Sequence, residues 1–165
     1  MSGSARKTIR DAMYDLLSLV TPPFATTGKQ ITVPSNVENY DMPALFIVKP
    51  EENVSESQVY GLQRIDMMLH AVMYLRKSGT PDDQTNPIED QIDDLLDQIL
   101  GQPGSHTTGV MNTKNPNGTV KAIGEAQTLG GLVADVRVHG KIFIDSGVIG
   151  TLCVVEIPFA VVTGI

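Results

Sequence analysis

The sequence predicts an α+β fold: a mainly antiparallel β-sheet with two amphipathic helices packed on it, a long strand or hairpin, and a projecting loop. Three observations carry this expectation. The last third, residues 132–162, is a series of strand-like apolar segments separated by glycine-bearing turns, which commits the C-terminus to a sheet. Ile65, Met67, Leu69, Ala71, Met73 and Leu75 alternate strictly with other residues, the period of a strand. Two stretches, 4–20 and 86–100, repeat apolar residues at helical spacing instead.

In the first helix, Ile9, Ala12, Met13, Leu16, Leu17 and Val20 form the apolar stripe, and Pro22 and Pro23 are the stop signal. Its opening turns carry Arg6, Lys7 and Arg10, the wrong sign for the positive end of a helix dipole. These cations read either as a solvated terminus or as a docking arm for carboxylates on a neighbouring subunit. A short strand is expected at 30–33, then a central strand over P-A-L-F-I-V at 43–48, with P-E-E-N at 50–53 turning the chain. The segment 59–77 could be read at helical spacing through Leu62, Ile65, Leu69, Val72 and Leu75, but the six-position alternation favours a strand. Its other face, from Arg64 to Arg76, mixes polar and apolar residues, as suits a sheet face covered only in part.

The second helix begins with Asn86 as cap, Pro87 at the first helical position and Glu89 three residues after the cap. Ile88, Ile92, Leu95, Leu96, Ile99 and Leu100 form its buried stripe, and Gly101 and Pro103 stop it. The polar stretch 101–118 is expected to project as a loop. Strands at 120–129, 132–139, 141–145 and 152–162 complete the sheet.

At 165 residues the chain is expected to be one domain, 1–165, able to bury a core without disulfide or metal. A hydrophobic content of 41% with no apolar run near the ~18 residues of a spanning helix predicts a soluble protein. Asp11 and Asp15 interrupt any leader-like apolar core, so no export signal is visible. Cys153, the single cysteine, lies in an apolar run and reads as a buried structural thiol. The net charge of -7 argues against a protein that grips nucleic acid, although repulsion would suit a surface past which DNA must slide.

No reactive constellation is legible. Glu89, Asp90, Asp93, Asp94 and Asp97 lie on a regular helix, without the glycine-containing turn of a calcium loop, and read as a solvated or partner-facing stripe. His70, His106 and His139 are isolated from one another and form no metal motif. Ser146 lacks the strand-to-helix flanks of a nucleophile elbow. Gly130-Gly131 and Gly147-x-x-Gly150 read as turn chemistry. Met67, Met68, Met73 and Met111 could supply adaptable contact surface or core filling. The expectation is a protein that is not an enzyme and needs no cofactor.

The order of elements carries a family resemblance. An amphipathic N-terminal helix precedes D-x-P-A-L-x-I-V at 41–48, the alternating strand at 62–75 and the helix at 86–100. The ending is V-R-V-H-G-K-I-F-I-D-S-G followed by E-I-P-F-A-V-V. This pattern resembles the tail terminator and minor tail proteins of tailed bacteriophages and spans most of the chain; the stretch 101–118 has no counterpart in it. The resemblance implies a subunit that closes into a ring, of six copies, on the end of the tail tube, stops tube polymerisation and presents a surface to the head-tail connector or neck protein. It further implies a virion location, assembly in the host cytoplasm, passage of DNA without specific binding, no membrane and no catalytic residues. On the physical reading, Arg64, Asp66 and His70 on the long strand, with Asn112, Lys114, Asn115 and Asn117 in the loop, are the candidate subunit and tube contacts.

Alternatives are a neck or tube subunit of the same particle, a small-ligand module with an apolar pocket, and a small enzyme using Asp66 with His70 or Asp135 with His139. Four residues of extended chain separate each of those pairs by about 13 Å, which disfavours direct pairing within a strand.

Overall fold

Residues 3–21, 23–28, 41–56, 63–76, 87–145 and 152–163 are described by the computed structural model. The fold is α+β. Helix α1 (Gly3–Leu17) is followed by β1 (Thr26–Gly28), β2 (Ala44–Glu56), β3 (Gln63–Arg76), α2 (Pro87–Leu100), the single-turn α3 (Val110–Thr113), β4 (Asp135–Val138), β5 (Phe143–Asp145) and β6 (Leu152–Val162). The sheet order is β1-β2-β3-β6-β4, with β5 also on β6. Among the described residues, only the β1–β2 pair is parallel.

Strand β3 is central because it pairs along nearly its whole length on both sides, with β2 from Gln63 to Tyr74 and with β6 from Asp66 to Arg76. Its odd-numbered residues from Ile65 to Leu75 are buried in the main core, as the alternation predicts. Leu45 and Ile47 of β2, and Cys153, Val155, Ile157, Phe159 and Val161 of β6, extend that apolar face. The stripes of α1 and α2 cover it. Phe159 is the largest wholly buried side chain among the described residues, and burying a group of its kind stabilises the fold by about 1.5–3 kcal/mol. On the other face a smaller cluster of Ala44, Phe46, Val72 and Tyr74 is buried, with Phe46 and Tyr74 meeting edge to face at 5.9 Å.

Two expectations are corrected. The turn expected at 50–53 is absent, and β2 runs on to Glu56. A bulge between Val48 and Glu51 gives β2 one extra residue against β3, and Pro50 falls inside it, where its missing N–H breaks no ladder bond. The strand expected at 120–129 does not form. Its one ladder element is an isolated Lys114–Val120 bridge, and the chain turns at Gly124, whose φ is 83°. The first helix ends at Leu17, short of the prolines, in a turn closed by the Ser18 N–H on the Tyr14 carbonyl. The expected strand at 30–33, the Asn86 cap and the turn at Ser146 and Gly147 lie outside the described residues.

Residues 101–134 are held by side chain to backbone bonds in place of ladders. Gly101 and Gly109 bring two backbones together where the chain returns past the end of α2: a Cβ on Gly109 would lie 2.2 Å from the Gly101 nitrogen. Asn112 donates from Nδ2 to the Leu100 and Thr108 carbonyls, at 3.0 and 2.9 Å, and so caps the last turn of α2. Gln127 is buried; its Nε2 donates to the carbonyls of Met111 and Lys114, and its Oε1 accepts from the Leu129 N–H. The Lys121 ammonium, also buried, donates to the carbonyls of Ala122 and Glu125 and closes the turn around Gly124.

Replacing Gln127 by Leu keeps the volume but strands two carbonyls and one N–H in a dry site. The expected loss is about 2–3 kcal/mol. Hydrogen exchange should quicken first at residues 110–129 while the β3 and β6 amides stay protected; uniform loss of protection would show that this region has no separate stability.

Candidate assembly surfaces

The residues proposed from sequence as contacts fall on two sides of the sheet. Asp66 and His70 belong to the even-numbered face of β3, opposite the helices, and both are half-buried. The backbone of Arg64 pairs with Ser55 near the start of the strand. Asn112, Lys114, Asn115 and Asn117 are on the helix side, where Asn115 and Asn117 line a groove of about 360 Å³ with Thr8, Asp11 and Asp15 of α1. The two sets do not converge into one site.

Nor does the loop present its asparagines freely. Asn112 is occupied in capping α2, and Lys114 supplies a carbonyl to Gln127. The Asn115 N–H donates to the Thr119 carbonyl at 2.8 Å, and Asn117 Oδ1 accepts from the Thr119 N–H and hydroxyl. This is a self-contained turn with Gly118 at φ 85°. Exposed residues fall at 102–104, 106, 107 and 117 of the loop and again at 119–126 apart from the buried Lys121, where Val120 and Ile123 are 76% and 66% exposed.

His70 is held by Glu156, not by Asp66: its Nδ1 meets Glu156 Oε1 across the β3–β6 pair. Because His70 stands opposite Pro158 and Val72 opposite Glu156, the two side chains are diagonal neighbours on one face. Burial, with the nearby Glu156 carboxylate adding to it, pushes the Tyr74 hydroxyl pKa up on the same face. Asp135 pairs with Arg137 at 3.5 Å, so neither Asp–His pair considered from sequence forms. Among the described residues no group of three or more His, Cys, Asp or Glu is placed to hold a metal ion.

Two features that sequence reading missed dominate the surface. The first is the exposure of both faces of β5, a strand expected at 141–145. The strand pairs with Val154 to Glu156 of β6, yet Phe143, Ile144 and Asp145 are all exposed, so both faces of this edge strand meet solvent. Alternation would lead one to expect one buried face. An edge strand with two apolar exposed residues is a template for further pairing.

The second is a charge cluster joining α1 to β2. Arg6 Nε donates to Glu52 at 2.8 Å and Lys49 Nζ to the same carboxylate at 2.7 Å. The hydrogen bond from Lys49, then that from Arg6, holds the Glu52 carboxyl below the usual carboxylate range against the opposing effect of burial. Further along α1, Tyr14 accepts from the Ile47 N–H at 2.7 Å, beyond the reach of β1, and burial raises its pKa. The cluster was hidden because Arg6 and Glu52 are 46 residues apart.

Glu52 gives a pH dependence of definite sign. A folded pKa below the unfolded one means that the unfolded chain binds the proton more readily. Its stabilisation is therefore complete above the ordinary carboxylate range and is lost as pH falls through the depressed folded value. Glu52→Gln should lower stability at pH 7 by about 1 kcal/mol, read from urea midpoints, and should flatten the acid limb of the stability profile. An unchanged acid limb would mean that the cluster is not linked to folding.

Comparison with protein-family models gives no match for this chain, and comparison with curated proteins gives none.

Proposed function

We propose that the chain is a tail terminator of a tailed bacteriophage, a structural subunit that closes into a ring of six on the tail tube, ends its growth and offers the joining surface for the head. The observation that carries this reading is β5, an edge strand exposed on both faces. A ring-forming subunit needs two different patches, one accepting what the other presents. A sheet edge that takes up a neighbour's strand supplies one such patch. The β2–β3 hairpin supplies a protrusion, since Gln63 and Arg64 pair with β2 beyond the last β6 partner and Val54 is 56% exposed.

The order of helix, long hairpin, helix and C-terminal strands also supports the reading, since it is the pattern in which the sequence resembles the tail terminators. The partners are further copies of the chain, the tail tube protein and the connector or neck protein. The net charge of -7 suits a ring through which DNA passes without sticking.

Electron microscopy of lysates from a host infected with the parent phage, carrying an early stop codon in this gene, tests the assignment. Overlong headless tails are the expected result. Tails of normal length beside unattached or leaking heads would move the role to the neck, absence of any tube would make it a tube subunit, and normal particles would overturn the virion reading.

A further inference from the structure

Arg10 presents an unsatisfied polar group. Its Nε is buried and has no hydrogen-bond partner. It stands one helical turn from Arg6 and one from Tyr14, whose hydroxyl feels its charge. Around it Arg6 and Lys49 pair with Glu52, and Lys7 pairs with Asp11, whereas Arg10 joins no ion pair among the described residues. Arg6 and Lys7 lie in the opening turns of α1, where the helix dipole is also positive. Arg10 brings a charge that no carboxylate of the described residues pairs with.

Helix α2 has the opposite problem. It contains five carboxylates and no Lys or Arg. Glu89–Asp93, Asp90–Asp94 and Asp93–Asp97 are like-charge neighbours four apart, each destabilising the helix, and its last turn has no basic residue to complement the dipole. Asp90 and Asp93 are exposed, and neither carboxylate has a hydrogen bond or ion pair among the described residues.

The two surfaces cannot relieve each other within one chain. Glu52, which anchors the α1 cluster, stands opposite Met67 of β3, whereas Asp94 of α2 lines a groove with Pro43 and Leu75 at the other end of the hairpin. Roughly eight residues of strand, about 25 Å, separate Glu52 from that groove, and Arg10, one turn beyond the Tyr14 that bonds to Ile47, is roughly 15–20 Å from it, still beyond ion-pair reach. Two complementary patches that one chain holds apart are matched by a head-to-tail neighbour.

We propose that the Arg10 face of α1 seats the acidic outer face of α2 from a second copy of this chain, with Asp90 and Asp93 supplying the missing carboxylates. The contact deepens the ring reading and rests on it for closure. It acts through charge, so it sets register, partner choice and association rate, and it weakens with salt.

The test uses the full-length chain and sedimentation velocity over a concentration series at low and high salt, with circular dichroism to check folding. Wild-type chain should associate, less so in high salt. Arg10→Glu alone and Asp93→Lys alone should each weaken association by about tenfold or more. An equimolar mixture of the two variants should associate again, because a strictly alternating arrangement sets the introduced glutamate of one copy against the introduced lysine of the next and leaves every other contact native. If Arg10→Glu perturbs the fold, Arg10→Gln, which removes charge without reversing it, should weaken association in the same direction.

Wild-type chain that stays monomeric throughout would overturn the contact. Association that survives both reversals would overturn it too, while leaving a ring built through β5 intact. Sensitivity to Arg10→Glu but not to Asp93→Lys or to the mixture would overturn the acidic face of α2 as the matching surface and point to other carboxylates of the neighbouring copy. Overlong tails from the stop-codon phage, beside an insensitive charge swap, would separate failure of this contact from failure of the terminator reading.

Discussion

The register of β3 is the constraint on which the molecule depends. Ile65, Met67, Leu69, Ala71, Met73 and Leu75 must all face α1 and α2, and a slip of one residue would exchange them for Asp66, Met68, His70, Val72, Tyr74 and Arg76. With β2 and β6 bonded on either side, such a slip would also misplace Ile47 and Phe159. At the open end the register is pinned by Thr163, whose N–H and hydroxyl donate to the Ile65 carbonyl and whose Oγ1 accepts from the Ile65 N–H. At the helix end, Gln98 exchanges two hydrogen bonds with the Thr21 backbone and ties the segment after α1 to α2. Polar bonds at the margins hold in place what the apolar pattern selects.

The α+β class, the alternation of β3, both long helices and the span of β6 were legible because each rests on a local period. Less legible was whatever depends on residues far apart in sequence. Pro50 looks like a turn because proline ends ladders, but whether it turns the chain or sits in a bulge is decided by the β3 strand it faces. The apolar residues at 120–129 suggested a strand, yet Lys121 and Gln127 are turned inward to satisfy carbonyls, and no local pattern marks a lysine as buried. The pairing of His70 with Glu156 required the β3–β6 register, across 86 positions.

The candidate surfaces divide along the same line. Asn112, Asn115 and Asn117 drew attention as polar loop residues, the usual carriers of contacts. Their side chains instead build the loop, because a stretch without ladder partners must satisfy its backbone from side chains. Large apolar side chains are left outside, among them Val120, Ile123, Phe143 and Ile144. Composition alone does not separate these from core residues, since exposure follows from where the sheet ends.

The charge pattern adds a kinetic consequence to this geometry. A chain of net charge -7 repels its own copies at long range, which disfavours haphazard encounters. Apolar edges such as β5 would associate without regard to orientation if nothing opposed them. A localised positive face around Arg10 and a localised negative face on α2 act against that repulsion in one relative orientation only. Specificity then comes from the charges and adhesion from the edges. Screening by salt weakens the repulsion and the attraction together, so added salt shifts the balance from oriented toward unoriented contact. The ring subunit proposed above would be served by that division of labour.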